Sequence, residues 1–307
     1  MKIESWRHAL ALMEDCFSNG MGGFQNVEPR MAAALQDILA RPGSLVRAVT
    51  AYMLAVEMGV PDEGARALGC GVEYLHTASL IFDDLPAMDD ARMRRGAACV
   101  HVVHGEGLAM LAALALINRA YALMWQGISH ADPQRRASAG KWIDDRLGIA
   151  GVIGGQAHDL SGWRGEQSAA DVSEVAARKT GDLLRLTLVL PAIVGNGSPR
   201  EIQLLDRLAL LRGLAYQAAD DLKDVISHED VSGKTGGRDE ELGRPNLVTA
   251  EGLPAALRRF SRLCETGDRV QAALPGPAER WMMLEMLRVP MPVSTKDCEA
   301  ALFSAAI

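Results

Sequence analysis

What this chain lacks narrows its class first. Aromatic residues make up only 5% of its 307 positions, and few stretches alternate apolar and β-branched residues as strands do. The five cysteines (Cys16, Cys70, Cys99, Cys264, Cys298) are scattered, and none stands in CxxC spacing. That sets aside a disulfide framework and a zinc site. Positive charge is in deficit: 32 Lys and Arg against 39 Asp and Glu leave a net charge of -7. A nucleic-acid binder normally shows a basic patch, so no nucleic-acid partner is expected. The opening Met1-Lys2-Ile3-Glu4-Ser5-Trp6 has no apolar core of a signal peptide. Apolar runs such as Leu108 to Ile117 read as too short to span a bilayer. A cytoplasmic protein without a stable membrane anchor is expected. No repeat, low-complexity tract or dividing linker appears, so residues 1–307 are expected to form a single domain.

What is present is helical periodicity. Residues 30–40, 44–58, 63–82, 105–126, 136–160, 171–194, 200–227 and 253–273 are rich in Ala, Leu, Met, Arg and Glu, with apolar residues returning every three or four positions. Breaks fall at Arg41-Pro42-Gly43, Gly59-Val60-Pro61, Asp132-Pro133, Gly195 to Pro199, Gly236-Gly237 and Pro275-Gly276-Pro277. Ser198-Pro199 ahead of Glu201 reads as a helix start, as does Asp62 or Glu63 after Pro61. The polar, Gly-rich stretch from Ser227 to Asn246 reads as a mobile loop. The pattern predicts one large all-α domain.

Two acidic clusters stand out against it: Asp83-Asp84-Leu85-Pro86-Ala87-Met88-Asp89 and Asp220-Asp221-Leu222-Lys223-Asp224. Each follows an apolar run, Ser79 to Phe82 and Gly213 to Tyr216, where unpaired carboxylates are costly to keep. Two such clusters facing one cavity suit Mg²⁺, which takes carboxylate oxygens together with substrate phosphates. A diphosphate is therefore the leading ligand. Asp220 and Asp224 share a helix face, with Gln217 one turn earlier. Pro86 removes a backbone donor and bends the chain, which would return Asp89 toward Asp83. The second cluster also has a plainer reading as a solvated acidic face, which the apolar run ahead of it opposes. Cations follow: Arg94-Arg95, Arg178-Lys179-Thr180 and Lys234. Arginine forks bind phosphate bidentately, and two neighbours pointing apart would serve two diphosphates. Gly154-Gly155, inside an apolar helix, signal close approach of a ligand or of a neighbouring helix.

Assembled, these residues resemble the trans-isoprenyl diphosphate synthases (polyprenyl synthetases), and among them the bacterial carotenoid-type geranylgeranyl diphosphate synthases. The resemblance runs over roughly residues 40–250. It is carried by His76-Thr77-Ala78-Ser79 through Asp83-Asp84 to Arg94-Arg95-Gly96, by Gly155-Gln156-x-x-Asp159, by Lys179-Thr180-Gly181, by Tyr216-Gln217-x-x-Asp220-Asp221-x-x-Asp224 and by Gly233-Lys234. It implies a bundle of antiparallel helices around a deep central cavity, usually as a homodimer. The implied reaction is head-to-tail condensation of an allylic prenyl diphosphate with isopentenyl diphosphate.

The resemblance also assigns roles. About three Mg²⁺ ions, held by Asp83, Asp84, Asp89, Asp220, Asp221 and Asp224, would neutralise the leaving diphosphate. Arg94, Lys179 and Lys234 would hydrogen-bond it, and Lys179, Thr180 and Gln217 would turn dipoles toward the carbocation. Arg47, His76 and Arg95 would hold isopentenyl diphosphate. Ala78 and Ser79, just before Asp83, would form the floor beneath the growing tail. Because Ala78 is small where shorter-product bacterial enzymes commonly carry an aromatic, C20 is favoured over C15.

Two departures from the family pattern are present. The usual Gly-Lys-x-x-Arg-Pro reads here Gly43-Ser44-Leu45-Val46-Arg47-Ala48, and losing that lysine removes about 1–3 kcal/mol of diphosphate binding. Arg41 stands three residues away. Arg244 occupies a position where a lysine is common. If isopentenyl diphosphate is not bound, the alternatives are a class I terpene cyclase-like enzyme or a non-catalytic partner subunit.

Overall fold

The structure, a computed structural model, describes residues 3–161, 168–229 and 244–291. The elements are helical apart from one two-stranded hairpin, and they form two compact units: residues 1–140 with 187–198, and residues 141–186 with 199–307.

The first unit contains α1 (Ile3–Asn19), α2 (Pro29–Leu39), α3 (Val46–Glu57), α4 (Asp62–Asp83), the strands β1 (Met93–Arg94) and β2 (Ala97–Ala98), α5 (Val100–His104) and α6 (Glu106–Ile128). Helix α4 is its axis, packed against α1, α3 and α6. The scarcity of aromatics is matched by small residues where helices meet. Ala65, Ala67, Gly69 and Gly71 on α4, and Ala109, Ala112, Ala113 and Ala120 on α6, are buried. Small residues let helix axes close up, since interaxial distance depends on the side chains at the contact. A Cβ on Gly69 would come within 2.7 Å of the Ala48 carbonyl oxygen on α3.

Helix α6 corrects one sequence expectation. The apolar run around Leu108 to Ile117 extends to 23 residues of continuous helix, long and apolar enough by length and composition to cross a membrane. One side of it is buried with α4, while Met110, Leu111, Leu114, Tyr121 and Trp125 remain exposed.

Helix α7 (Pro133–Leu147) starts where Asp132-Pro133 read as a break. The Asp132 carboxylate accepts the Gln134 and Arg135 N–H groups at 2.9 and 3.0 Å, satisfying donors that a helix start leaves open. The helix expected over 136–160 is in fact two. Gly148 and Gly151 separate α7 from α8 (Val152–Leu160), as the low helix propensity of glycine favours.

The second unit continues with α9 (Ala169–Ala176), a π-helical turn (Ala177–Gly181), α10 (Asp182–Val194), α11 (Pro199–Glu229), α12 (Leu247–Glu251), α13 (Leu253–Ala272) and a 3₁₀ segment (Ala278–Leu287). Residues 187–194 of α10 belong to the first unit. The core of the second unit joins Ala215, Ala218, Ala219 and Leu222 of α11 to Ala256 and Phe260 of α13. Arg212, only 2% exposed, is held there by Asp268 at 2.6 Å. Of the loop expected over 227–246, residues 230–243 lie outside the described residues, and α11 runs on to Glu229.

Candidate active site

In the first unit the site is built on the end of α4. Pro86 has no N–H to continue the helix, so the Phe82 carbonyl accepts from Leu85 at 3.1 Å instead. The chain then turns back: the Asp89 N–H donates to the Asp83 carbonyl at 2.9 Å and the Ala91 N–H to the Asp84 carbonyl at 3.1 Å. The expected return of Asp89 toward Asp83 is thus present. Asp83 and Asp89 are half-buried. Asp84 is buried, and its Oδ1 accepts from Arg94 Nε at 2.7 Å and Nη2 at 2.6 Å. In this structure the second aspartate anchors the hairpin that carries both arginines.

That hairpin separates the two. Arg95 and Gly96 both take positive φ (52° and 78°), the signature of a two-residue type I′ turn. Arg94 sits on the strand against Asp84, and Arg95 sits in the turn. The Arg95 guanidinium lies over Gly43, where a Cβ would fall 1.9 Å from its Nη1. Gly43 also has φ 74°, so a side chain is disfavoured there twice over. Two residues on, buried Leu45 is left-handed as well (φ 51°). This placement costs roughly 1–2 kcal/mol for a non-glycine residue, and it leads into α3 with Arg47 as the second residue.

Arg47 Nη1 lies 3.2 Å from His76 Nε2. Burial, reinforced by Arg47, Arg95 and Arg94, pushes the His76 pKa well below its ordinary value. The imidazole is therefore neutral at pH 7 and offers a hydrogen-bonding group without competing charge. One turn earlier, buried Glu73 accepts the Ala48 N–H at 3.3 Å. Burial raises its pKa, and Arg47, the Ala48 N–H and Arg95 oppose that rise. The structure thus sets Arg47 beside His76, with Arg95 near enough to help lower the His76 pKa. Beside them is a cavity of about 260 Å³ whose wall includes Arg41, Gly43, Thr77, Leu80, Arg94 and Arg95. The Cys99 thiol on the same wall is pushed up to about 11, chiefly by burial and further by Asp84, so it stays protonated at neutral pH. Ala78 is fully buried, while Ser79 keeps partial exposure and donates to the His76 carbonyl at 2.8 Å.

In the second unit the sequence read one continuous helix over 171–194. The structure instead inserts the π turn at Ala177–Gly181, which carries Arg178, Lys179 and Thr180. Such turns concentrate at functional sites. Two glycines admit its backbone. A Cβ on Gly155 of α8 would meet the Lys179 nitrogen at 2.6 Å, and one on Gly213 of α11 would meet Gly181 Cα at 2.8 Å. Close approach of a neighbouring backbone therefore explains Gly155. Lys179 Nζ donates to Asp159 Oδ2 at 2.6 Å, and Arg244 Nη1 lies 3.5 Å from the same oxygen. Thr180 Oγ1 donates to Gln217 Oε1 at 3.2 Å, and Gln217 Nε2 to Asp221 Oδ1 at 2.9 Å. The other Asp221 oxygen accepts the Leu247 N–H at 2.8 Å. Asp221 is buried, Asp224 half-buried and Asp220 exposed. Lys234 lies outside the described residues.

The hard carboxylate oxygens of both clusters fit Mg²⁺ by type. Among the described residues no three acidic, His or Cys side chains converge as a metal cage. Mg²⁺ does not require one, since it usually takes one or two carboxylates, water and substrate phosphate. Sequence reasoning passed over Glu73 and the anchoring task of Asp159. The available signals were an acid in an apolar run three residues before His76, and the Gly155-Gln156-x-x-Asp159 spacing.

An almost wholly helical fold, with one carboxylate cluster at the end of α4, a second within α11 and cations near each, is of the isoprenoid synthase type. The chain belongs to the polyprenyl synthetase family, whose profile matches residues 28–267. It is 33% identical over 245 residues to geranylgeranyl pyrophosphate synthase 4 of Arabidopsis thaliana, covering 77% of this chain and 65% of that one. It is 32% identical over 257 residues to the geranylgeranyl diphosphate synthase of Pantoea ananas, covering 78% and 82%. The chain thus spans just under two thirds of the Arabidopsis relative's length. An FPP/GFPP synthase from Zymomonas mobilis shares the fold at TM-score 0.79 and 23% identity, over 92% of this chain and 98% of that one. A geranyltransferase from Helicobacter pylori, complexed with magnesium and isoprenyl diphosphate, shares it at 0.75 and 22%, over 98% and 97%.

Proposed function

We propose that the protein is a Mg²⁺-dependent trans-prenyltransferase that joins an allylic prenyl diphosphate to isopentenyl diphosphate, with geranylgeranyl diphosphate as the main product. One observation carries this reading over a cyclase. The helix that ends in Asp83-Asp84 also bears, two turns earlier, a neutral His76 beside Arg47 and within the field of Arg95. A cationic site next to the ionising acids is what a second diphosphate substrate requires. The name of the Pantoea relative supports the product.

Asp83, Asp84, Asp89, Asp220, Asp221 and Asp224 are the residues that would hold Mg²⁺, which would supply charge neutralisation for the leaving diphosphate. Arg94 and Lys179 would each hydrogen-bond that group, as would Lys234, which lies outside the described residues. The allylic carbon–oxygen bond breaks and its electron pair leaves with the diphosphate. Arg47, His76 and Arg95 hold isopentenyl diphosphate so that its double bond attacks the allylic carbon. The proton released as the new double bond forms goes to the departing diphosphate, so no side-chain base is needed. Thr180 and Gln217 orient dipoles toward the developing cation, as preorganised donors and acceptors do in water-poor sites. Asp159 positions Lys179. The exposed apolar stripe of α6, Met110, Leu111, Leu114, Tyr121 and Trp125, supports a homodimer, because patches of this kind mark interfaces.

The deciding assay is incubation with Mg²⁺ and an allylic diphosphate, with and without isopentenyl diphosphate. Chain extension only when both are present is the expected result. Hydrocarbon or alcohol from the allylic substrate alone would make the protein a cyclase, and no turnover would make it a partner subunit.

Product length gives a second test. Ser79 shares a helix face with Asp83 and keeps partial exposure, whereas Ala78 is enclosed. Ser79→Tyr is expected to shift products from C20 toward C15 with the first condensation intact. Ala78→Tyr is expected to lower stability by about 1–3 kcal/mol through overpacking. A Ser79→Tyr enzyme with an unchanged product distribution, read by chromatography of the dephosphorylated alcohols, would place the floor elsewhere.

A further inference from the structure

The cavity of the first unit is charged in a way the reading so far leaves unexplained. Its wall carries three guanidinium groups, Arg41, Arg94 and Arg95, and one carboxylate, Asp84. Asp84 Oδ1 is taken by Arg94. Arg95 makes no hydrogen bond or ion pair among the described residues, and its guanidinium rests on Gly43. Arg41, Pro42 and Gly43 form the turn that follows α2. The positive φ of Gly43 carries the chain past Arg95, so Arg41 and Arg95 stand on one cavity wall. Two like charges at a cavity call for an anion between them, and guanidinium forks match phosphate oxygens.

We propose that Arg41 is a diphosphate-binding residue of this chain, supplying with Arg95 the charge that holds isopentenyl diphosphate. The inference rests on the prenyltransferase reading and adds to it a residue outside the family's motif. Arg41 can be released to a ligand. Its present partner is Asp37, four residues back on α2, with both side chains more than 30% exposed. Exposed pairs of this kind contribute little to stability. Asp37 would keep a second partner, His104, whose Nε2 lies 3.2 Å away. Ser44, exposed and uncharged, then marks a relocated cation. The charge sits at position 41, ahead of the left-handed turn at Leu45, instead of at position 44.

The test compares wild type with Arg41→Gln, Arg41→Lys and Arg41→Gln/Ser44→Lys. Steady-state kinetics are combined with calorimetric titration of isopentenyl diphosphate in EDTA. Arg41→Gln is expected to raise KM and Kd for isopentenyl diphosphate about tenfold or more, as for a lost charged hydrogen bond. Its kcat and its KM for the allylic substrate should stay within about twofold, the pattern of a uniform binding interaction. Arg41→Lys should lie between the two, and Ser44→Lys should recover most of the loss in the Arg41→Gln background. Because Arg41 is exposed, unchanged circular dichroism and melting temperature are expected in every variant. If wild type condenses its substrates and Arg41→Gln leaves KM and Kd unchanged, Arg41 is not a ligand and only this inference falls. If Arg41→Gln weakens calorimetric binding but wild type performs no condensation, the assignment of Arg41 stands and the prenyltransferase reading falls.

Discussion

Asp83→Ala and Asp220→Ala are each expected to reduce turnover by several orders of magnitude at saturating Mg²⁺, with little change in helix content. Each carboxylate is assigned to a metal that stabilises charge appearing only as the carbon–oxygen bond breaks, so its loss falls on kcat. Asp83 is half-buried at the end of α4 and Asp220 is exposed on α11, so neither substitution should unfold the chain. Single-turnover rates with an allylic diphosphate would check it. More than a tenth of the wild-type rate in either variant would remove that aspartate from the metal set. Asp84→Ala and Asp221→Ala should behave differently. Asp84 holds Arg94, and Asp221 accepts the Leu247 N–H. Loss of either should therefore lower thermal stability as well as activity, since the half-buried Arg94 or the buried Leu247 N–H is left without its acceptor.

Gly155→Ala is expected to reduce kcat by about a hundredfold or more while costing about 1–3 kcal/mol of stability, the range for forcing atoms into packed space. The added methyl would stand 2.6 Å from the Lys179 nitrogen and 2.7 Å from Arg178 Cβ, so the π turn must move. Moving it breaks Lys179 from Asp159, one turn along α8 from Gly155, and Thr180 from Gln217. The control is Gly107→Ala, near the start of α6, where a Cβ meets nothing within 4 Å. That variant should be neutral or slightly more stable. Equal activity in Gly155→Ala and wild type would mean the π turn tolerates displacement, and that Lys179 is not held for catalysis by this contact.

Much of the helical architecture was legible because apolar spacing of three and four residues is a local property. The limits of α2, α4, α11 and α13 fall within two residues of those read from periodicity. Pro86 announced the bend that returns Asp89 to Asp83, because a missing N–H is written in the residue itself. The π turn was not legible. Residues 177–181 have ordinary helical composition, and the approach of α8 and α11 at Gly155 and Gly213 goes with the distortion. Nor was the division of labour within each Asp-Asp pair. Two adjacent aspartates look alike in sequence, and it is Arg94 at Asp84, and Gln217 with the Leu247 N–H at Asp221, that mark these two as anchored.

The sequence by itself determined the helical class, the two carboxylate clusters, the cations near them and the family, because spacing along a chain fixes which residues share a helix face. Tertiary structure alone decided which faces meet. It set Arg95 over Gly43 and Arg47 beside His76, and it tied Lys179 to Asp159. These contacts join residues 20 to 52 positions apart, and they depend on how closely small residues let neighbouring backbones approach, a quantity that no local pattern records.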